Sequence, residues 1–141
     1  MTLMNKRIVA IDDTDSILTF LRISLEALGA KFQGAATAAG GMALCESDTP
    51  DLVVLDLGLP DKEGFSILQR LKRLNSEKNL PVIVLTVRNE PESINMAKEL
   101  GAYAYLTKPF IMDDLIDIIH EALHIKQTKH LSLVKSEEAA S

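Results

Sequence analysis

Cysteine, tryptophan and long apolar segments are scarce or missing in this chain of 141 residues. The single cysteine, Cys45, has no partner for an internal disulfide, which favours a reducing compartment. No apolar run approaches the ~18 residues that a membrane span needs. Residues 1–6 also lack the apolar segment of a secretion signal. These absences predict a cytoplasmic protein that has no contact with a membrane.

Positively charged residues are also fewer than negatively charged ones. The chain has 15 lysines and arginines against 20 aspartates and glutamates, a formal net charge of -5. A protein that binds nucleic acid directly needs a basic stripe for the phosphates, and we find none in the sequence. The nearest candidate, 62–78, is interrupted by Glu63 and Glu77, so we interpret it as a solvated helix face. No direct nucleic-acid partner is expected.

The chain does contain enough apolar sequence for one hydrophobic core. It is 47% hydrophobic and 25% charged, which is typical of a globular protein, and its length fits a single domain. From residue 127 onward the composition turns polar. We therefore predict one domain over 1–126 and a short polar tail over 127–141, with no output domain.

Short apolar segments alternate with segments of helical periodicity. Strands are predicted at 6–11, 31–37, 52–55, 81–85 and 102–106, and helices at 15–28, 38–47, 64–75, 90–100 and 112–126. The pair Gly40 and Gly41 makes the second helix the weakest of these predictions. Strands and helices in strict alternation predict an α/β fold with a parallel sheet and helices on both faces.

Asp56 follows the most uniformly apolar strand, 52–55, which is typical of a strand buried on both faces. Gly58 and Pro60 then indicate a turn. Open α/β folds bind ligands at the carboxyl ends of their strands, so Asp56 stands where a site is expected. An isolated aspartate in this position is more often a loop cap than part of a functional site. The residues around it must therefore distinguish the two interpretations.

Four other polar residues are predicted to follow strands at the same edge: Asp12, Asp13, Thr86 and Lys108. Three carboxylates crowded together repel one another unless a cation joins them. Oxygen ligands favour a hard ion such as Mg²⁺. Because Lys108 adds an ammonium and Thr86 a hydroxyl donor, the set predicts a phosphoryl site with Asp56 as the nucleophile.

This order of residues resembles the receiver domain of bacterial two-component response regulators, over about 5–126. The matching segments are 12–13, 56–60, 63–65, Thr86, Tyr105 and 108–110. The resemblance implies a flavodoxin-like, doubly wound five-stranded sheet of order 2-1-3-4-5 with five helices. It also implies a single-domain, chemotaxis-type signalling switch and not an enzyme, whose only reactions are its own phosphorylation and dephosphorylation.

The resemblance further implies a metal site and an acceptor. Mg²⁺ would be held by Asp13, Asp56 and the backbone carbonyl of Gly58, with Asp12 acting through water. Asp56 would accept a phosphoryl group from a phosphohistidine, on a sensor histidine kinase or a histidine phosphotransfer protein. Signal would then pass to a downstream protein target.

The remaining implied roles belong to the switch. Lys108 would pair with the phosphoryl group, and the bond between Lys108 and Pro109 would be cis. Thr86 and Tyr105 would form the switch, and the alternation of the fifth strand directs the Tyr105 ring toward the helix that follows Thr86. A homodimer would form through the fourth helix, fifth strand and fifth helix.

Three positions depart from the family pattern. Val87 is bulkier than the small residue that usually follows the switch threonine, and Glu63 stands where Asp or Ser is frequent. Gly58 leaves one side of the acceptor without a covering side chain. These differences predict altered access to Asp56.

Other interpretations fit part of the pattern. A haloacid-dehalogenase-type phosphatase also forms an aspartyl-phosphate with Mg²⁺, and 13–17 resembles its opening motif, but Asp113 and Asp114 are predicted to begin a helix instead of ending a strand. A flavodoxin would need a phosphate-binding loop at 12–15, where acidic side chains repel a phosphate. A third alternative is the receiver portion of a longer multidomain regulator or kinase.

Overall fold

Five strands alternate with five helices in the computed structural model, which describes residues 2–74 and 79–123. The strands are β1 (Arg7–Ile11), β2 (Lys31–Ala35), β3 (Leu52–Leu55), β4 (Val82–Thr86) and β5 (Ala104–Thr107). The helices are α1 (Asp15–Glu26), α2 (Ala38–Ser47), α3 (Gly64–Leu74), α4 (Pro91–Glu99) and α5 (Met112–Leu123). Every predicted element is present.

The strands form one parallel sheet of order β2-β1-β3-β4-β5. Strand β3 is central, since Val53 lies opposite Val9 on one side and Val82 on the other. The predicted flavodoxin-like, doubly wound α/β fold is therefore confirmed. Because all strands run in the same direction, their carboxyl ends share one edge of the sheet.

Successive residues of β3 supply two separate cores. Val53 and Leu55 belong to the core beneath α2, α3 and α4, whereas Leu52 and Val54 belong to the core beneath α1 and α5. This alternation is the period of two that a strand imposes on its side chains. Burial of both faces explains why the strand is uniformly apolar.

Helix α2 contains two glycines, and one of them is needed for its packing against the sheet. A Cβ atom on Gly41 would lie 2.4 Å from Cδ1 of Ile11, so glycine lets the helix approach β1 closely. The first turn is capped by Thr37, whose Oγ1 accepts a hydrogen bond from the Gly40 amide at 3.1 Å. Cys45 on the same helix is fully buried, and burial raises the pKa of its thiol to about 11.

Two glycines end helices as the sequence predicts. Gly29 after α1 and Gly101 after α4 have φ values of 96° and 98°, a conformation that favours glycine.

The predicted continuation of α3 at residue 75, that of α5 at 124–126, and the predicted tail at 127–141 lie outside the described residues. Among the helices that the structure describes, none is both long and apolar enough to cross a membrane.

The segment 62–78, which we interpret from the sequence as a solvated helix face, is only partly solvated where it forms α3. Arg70 is exposed and lies 3.4 Å from Glu46. Lys72 instead donates hydrogen bonds from Nζ to Oδ1 of Asn79 at 3.0 Å and to the carbonyl of Leu80 at 2.7 Å. Its partial burial lowers its pKa. At Lys72, the interpretation of 62–78 as a solvated helix face was wrong, because the stem of this side chain packs at the amino edge of the sheet against Gly101.

Candidate functional site

The carboxyl edge of the sheet brings the predicted polar residues together. Hydrogen bonding between strands continues for one residue past β1 and β3: the Asp12 amide donates to the Ala35 carbonyl at 3.0 Å, and the Asp56 amide to the Ile11 carbonyl at 2.9 Å. The sheet therefore fixes the backbone of both aspartates. Their side chains are buried, whereas Asp13 is exposed.

Carboxylate oxygens of Asp12, Asp13 and Asp56 all lie within 4.8 Å of one another. This spacing lets one cation contact all three, and an all-oxygen donor set suits Mg²⁺. The residues present therefore fit the hard divalent ion that the sequence predicts.

Lys108 reaches into this acidic cluster from the end of β5. Its Nζ donates to Oδ2 of Asp12 at 2.7 Å and to Oδ2 of Asp56 at 3.2 Å, and its side chain is only 11% exposed. Three carboxylates and one ammonium have a formal charge of about -2, which a divalent cation would cancel. The peptide bond between Lys108 and Pro109 is cis, as the resemblance implies.

The ionisation of Asp12 and Lys108 reflects a balance between burial and pairing, which comes out differently for the two groups. Burial raises the pKa of Asp12 above its ordinary value, although the hydrogen bond and charge of Lys108 act in the opposite direction. Burial alone would lower the pKa of Lys108. Its bonds to Asp12 and Asp56 outweigh that effect, so the pKa of Lys108 is raised and the ammonium stays charged.

The side of Asp56 that faces Gly58 is open. The Gly58 amide donates to Oδ1 of Asp56 at 3.0 Å, and a Cβ atom on Gly58 would meet only that oxygen, at 3.7 Å. A surface cavity of about 330 Å³ adjoins it, lined by residues 57–63 and Arg88. Val87, which the sequence predicts to narrow access, is 71% exposed.

Thr86 and Tyr105 are linked through the backbone of one residue. Thr86 is fully buried at the end of β4, and its Oγ1 accepts from the Arg88 amide at 3.4 Å. The Tyr105 hydroxyl donates to the Arg88 carbonyl at 2.8 Å. The Tyr105 ring packs against the core beneath α2, α3 and α4, in the predicted direction. Burial, and to a lesser extent Glu90, raises the pKa of its phenol.

Two contacts near the site were missed by the sequence analysis. Asp61 accepts hydrogen bonds from the amides of Ala38 and Ala39, the first two residues of α2. Arg88 pairs with Glu63 at 3.4 Å. An acidic residue after Pro60 was the only local signal for the first contact, and it did not identify a partner more than twenty residues away.

A five-stranded flavodoxin-like domain with an acidic cluster and a largely buried lysine side chain at the carboxyl edge is the arrangement that the resemblance to receiver domains implies. The family model of the response regulator receiver domain matches residues 8–120. The chain belongs to this family. Receiver domains act in phosphorylation-driven two-component signalling and generally signal instead of catalysing a reaction; they bind Mg²⁺ at such an aspartate cluster and interact with histidine kinases or phosphotransfer proteins.

Individual relatives agree with this assignment. The chain is 38% identical over 116 residues to the transcriptional regulatory protein KdpE of Mycobacterium tuberculosis, covering 82% of this chain and 50% of KdpE. It is 32% identical over 124 residues to sporulation initiation phosphotransferase F of Bacillus subtilis, covering 88% of this chain and 98% of that protein. The chain thus spans about half the length of several curated relatives and nearly all of another.

Solved structures share the fold. A CheY-like response regulator receiver domain from Methanospirillum hungatei superposes with a TM-score of 0.82 at 32% identity, covering 89% of this chain and 98% of that one. The BeF3-activated DrrB receiver domain superposes with a TM-score of 0.76 at 31% identity, covering 85% of this chain and 98% of that one.

Proposed function

We propose that Asp56 is the phosphoryl acceptor of this receiver domain. The observation that carries the proposal is the contact of a largely buried lysine side chain, that of Lys108, with two of the three clustered carboxylates. A carboxylate oxygen of Asp56 would attack phosphorus, and the bond from phosphorus to the donor's imidazole nitrogen would break. The ammonium of Lys108 and the hydroxyl of Thr86 would then bond to the phosphoryl oxygens.

We propose that Mg²⁺ is held by Asp13, Asp56 and the backbone carbonyl of Gly58, with Asp12 acting through water. Their carboxylates are close enough to share one ion. When bound, the ion would neutralise charge that builds up on the transferring phosphoryl group. Before phosphorylation, Lys108 would hold the orientation of Asp12 and Asp56, because it bonds to both.

The acceptor assignment is tested by mass spectrometry. Incubation of the protein with acetyl phosphate and Mg²⁺ is expected to add one phosphoryl mass, and Asp56→Asn is expected to stay unmodified. The matched control is Asp51→Asn, which removes an exposed aspartate at the opposite edge of the sheet and should be modified like the wild type. Phosphorylation that persists in Asp56→Asn would disprove the assignment.

We also propose that Thr86 and Tyr105 form the switch that reports phosphorylation, and that output occurs by contact with another protein. A net charge of -5 supports a protein target over direct contact with nucleic acid. One relative is named a DNA-binding transcriptional regulator, and this chain covers 46% of it. The alternative is therefore that residues 1–126 serve as the receiver portion of a longer regulator.

We propose that the phosphoryl group comes from a sensor histidine kinase or a histidine phosphotransfer protein in the cytoplasm. Self-association through α4, β5 and α5 is a further proposal, supported by the position of β5 at one edge of the sheet and by Met96 of α4, which is 45% exposed. A haloacid-dehalogenase-type phosphatase finds no support, because Asp113 and Asp114 lie in the first turn of α5.

A further inference from the structure

The loop that carries the proposed acceptor is tied to a helix on the neighbouring part of the sheet. This loop, residues 56–63, connects β3 to α3. Its Asp61 carboxylate accepts hydrogen bonds from the first two amides of α2, with Oδ1 2.8 Å from the Ala38 nitrogen and Oδ2 3.0 Å from the Ala39 nitrogen. Each carboxylate oxygen therefore has its own partner on the helix.

This tie is chemically favourable for both elements. The first amides of a helix have no acceptor within the helix, and a negative charge at that end is stabilised by the helix dipole. Thr37 satisfies only the Gly40 amide, so Asp61 completes the cap from outside the helix. The two backbone bonds lower the pKa of Asp61 below its ordinary value, so it is ionised at neutral pH.

The tie also restrains the loop near its far end. At its start, the Asp56 amide is bonded to the Ile11 carbonyl at 2.9 Å. At its end, the Gly64 amide donates to the Leu57 carbonyl at 3.2 Å, and Gly64 packs directly against the Leu57 backbone. Gly58 lies between these restraints and is exposed, so the position of its carbonyl depends on how the loop is held.

We propose that Asp61 is a positioning residue of the phosphorylation site. By clamping the loop to α2, its carboxylate holds the Gly58 carbonyl where it can share a divalent cation with the carboxylate of Asp56. This inference rests on the proposed function, because it takes Gly58 and Asp56 as ligands of the cation. Its consequence is that the N-terminus of α2 and the metal site are coupled, although α2 contributes no ligand.

Replacement of Asp61 by alanine is expected to weaken Mg²⁺ binding by about tenfold, the lower end of the loss that follows removal of outer groups that orient metal ligands. Thr37→Ala is the matched control. It removes a capping oxygen from the same turn of α2 but leaves the loop tied, so its Mg²⁺ affinity should equal that of the wild type. Asp61→Asn keeps one acceptor oxygen and should bind Mg²⁺ with intermediate affinity.

The experiment is a titration with MgCl₂ alone, followed by the amide NMR signals of Asp13 and Gly58 in the wild type and the three variants. Amide hydrogen exchange at Gly58 and Gly64 is measured in the same samples before the metal is added. Asp61→Ala should exchange faster at both positions, whereas Thr37→Ala should not. This second measurement reports the clamp without any contribution from the metal.

The outcomes separate the two proposals. No Mg²⁺-dependent shift at Asp13 in the wild type would overturn the proposed metal site, and with it this inference. Wild-type Mg²⁺ affinity in Asp61→Ala, or equal losses in Asp61→Ala and Thr37→Ala, would overturn only the positioning role. If Asp61→Ala does not fold, the comparison of Asp61→Asn with Thr37→Ala decides in the same way.

Discussion

At the scale of single residues, the site is defined by charge that the fold buries. Asp12 and Asp56 are 2% and 6% exposed, and an ionised carboxylate is costly to bury unless it is paired. Lys108 pairs with both of them. Its removal would leave the two carboxylates without their shared cation, so the lysine is needed for the stability of this edge as well as for the proposed reaction.

The two glycines on either side of Asp61, Gly58 and Gly64, differ in the space that is available for a Cβ atom. At Gly64 a Cβ atom would lie 2.4 Å from Cα of Leu57 and 2.7 Å from its carbonyl oxygen, both of them backbone atoms that cannot move away cheaply. Gly64→Ala is therefore expected to destabilise the protein by about 3 kcal/mol, the upper part of the usual range for overpacking. The midpoint of urea unfolding measures this loss.

Gly58→Ala is the matched control for that substitution. Its Cβ atom would have a nearest contact at 3.7 Å, so the free energy of unfolding should change by less than about 1 kcal/mol. Equal losses in the two variants would show that the close contact with the Leu57 backbone does not explain the glycine at position 64.

The residues of the site could be predicted because they stand at strand ends, and strand ends are visible in the sequence. Asp12, Asp56, Thr86 and Lys108 all follow or end apolar segments, and a parallel sheet brings such ends together. The contact of Asp61 with α2 could not be predicted in this way. It depends on the path of an irregular loop, which hydrophobic periodicity does not describe.

At the scale of elements, the loop between β4 and α4 connects the site to the surface. The Arg88 amide donates to Thr86 and the Arg88 carbonyl accepts from Tyr105, so one peptide segment is bonded to both proposed switch residues. If Thr86 turned to bond a phosphoryl oxygen, its bond to the Arg88 amide would be lost. The loop and the Tyr105 ring would then be free to rearrange together.

This coupling predicts the behaviour of Thr86→Ala. Beryllofluoride, an analogue of the phosphoryl group, should change the affinity for a partner, or for a second copy of the chain, by about 5- to 150-fold in the wild type. The same addition should have little effect on Thr86→Ala, because a ligand shifts an equilibrium only through its differential affinity for the two states. Binding is measured by titration with and without the analogue.

Thr107→Ala is a suitable control for that experiment. Thr107 ends the neighbouring strand β5 and lies opposite Thr86, but it is exposed. Its variant should respond to beryllofluoride like the wild type. An equal response in Thr86→Ala and the wild type would contradict the route through Thr86 and Tyr105, even if Asp56 is phosphorylated.

The bounds of the elements show where sequence patterns are informative. Helix α2 and strand β3 have the predicted bounds, although α2 contains the two glycines that weakened its prediction. The reason, close packing of Gly41 on Ile11, depends on the tertiary structure and has no local signal. Strand β5 begins two residues later than predicted, because the Ala102 amide still bonds to the Ala97 carbonyl of α4.

At the scale of the whole molecule, binding of the proposed Mg²⁺ would be linked to folding. A cation that binds only the folded state stabilises it by about 2.7 kcal/mol when its concentration is one hundred times the dissociation constant. For a domain of this size that corresponds to a rise of roughly 10 °C in melting temperature. The acidic cluster should make this link strong, because its three carboxylates repel one another most when no Mg²⁺ is bound.

Asp13→Asn should abolish the Mg²⁺-dependent rise in melting temperature, because Asp13 is the exposed member of the cluster and a proposed direct ligand. Without Mg²⁺ the variant should melt at or slightly above the wild-type temperature, since the substitution removes one of the repelling charges. Asp113→Asn makes the same change of charge at an exposed position in α5 and should keep the full effect of Mg²⁺. Thermal unfolding of the three proteins, with MgCl₂ and with an equal ionic strength of NaCl, separates binding from screening. A rise of the same size in Asp13→Asn and in the wild type would mean that Mg²⁺ binds elsewhere on the molecule.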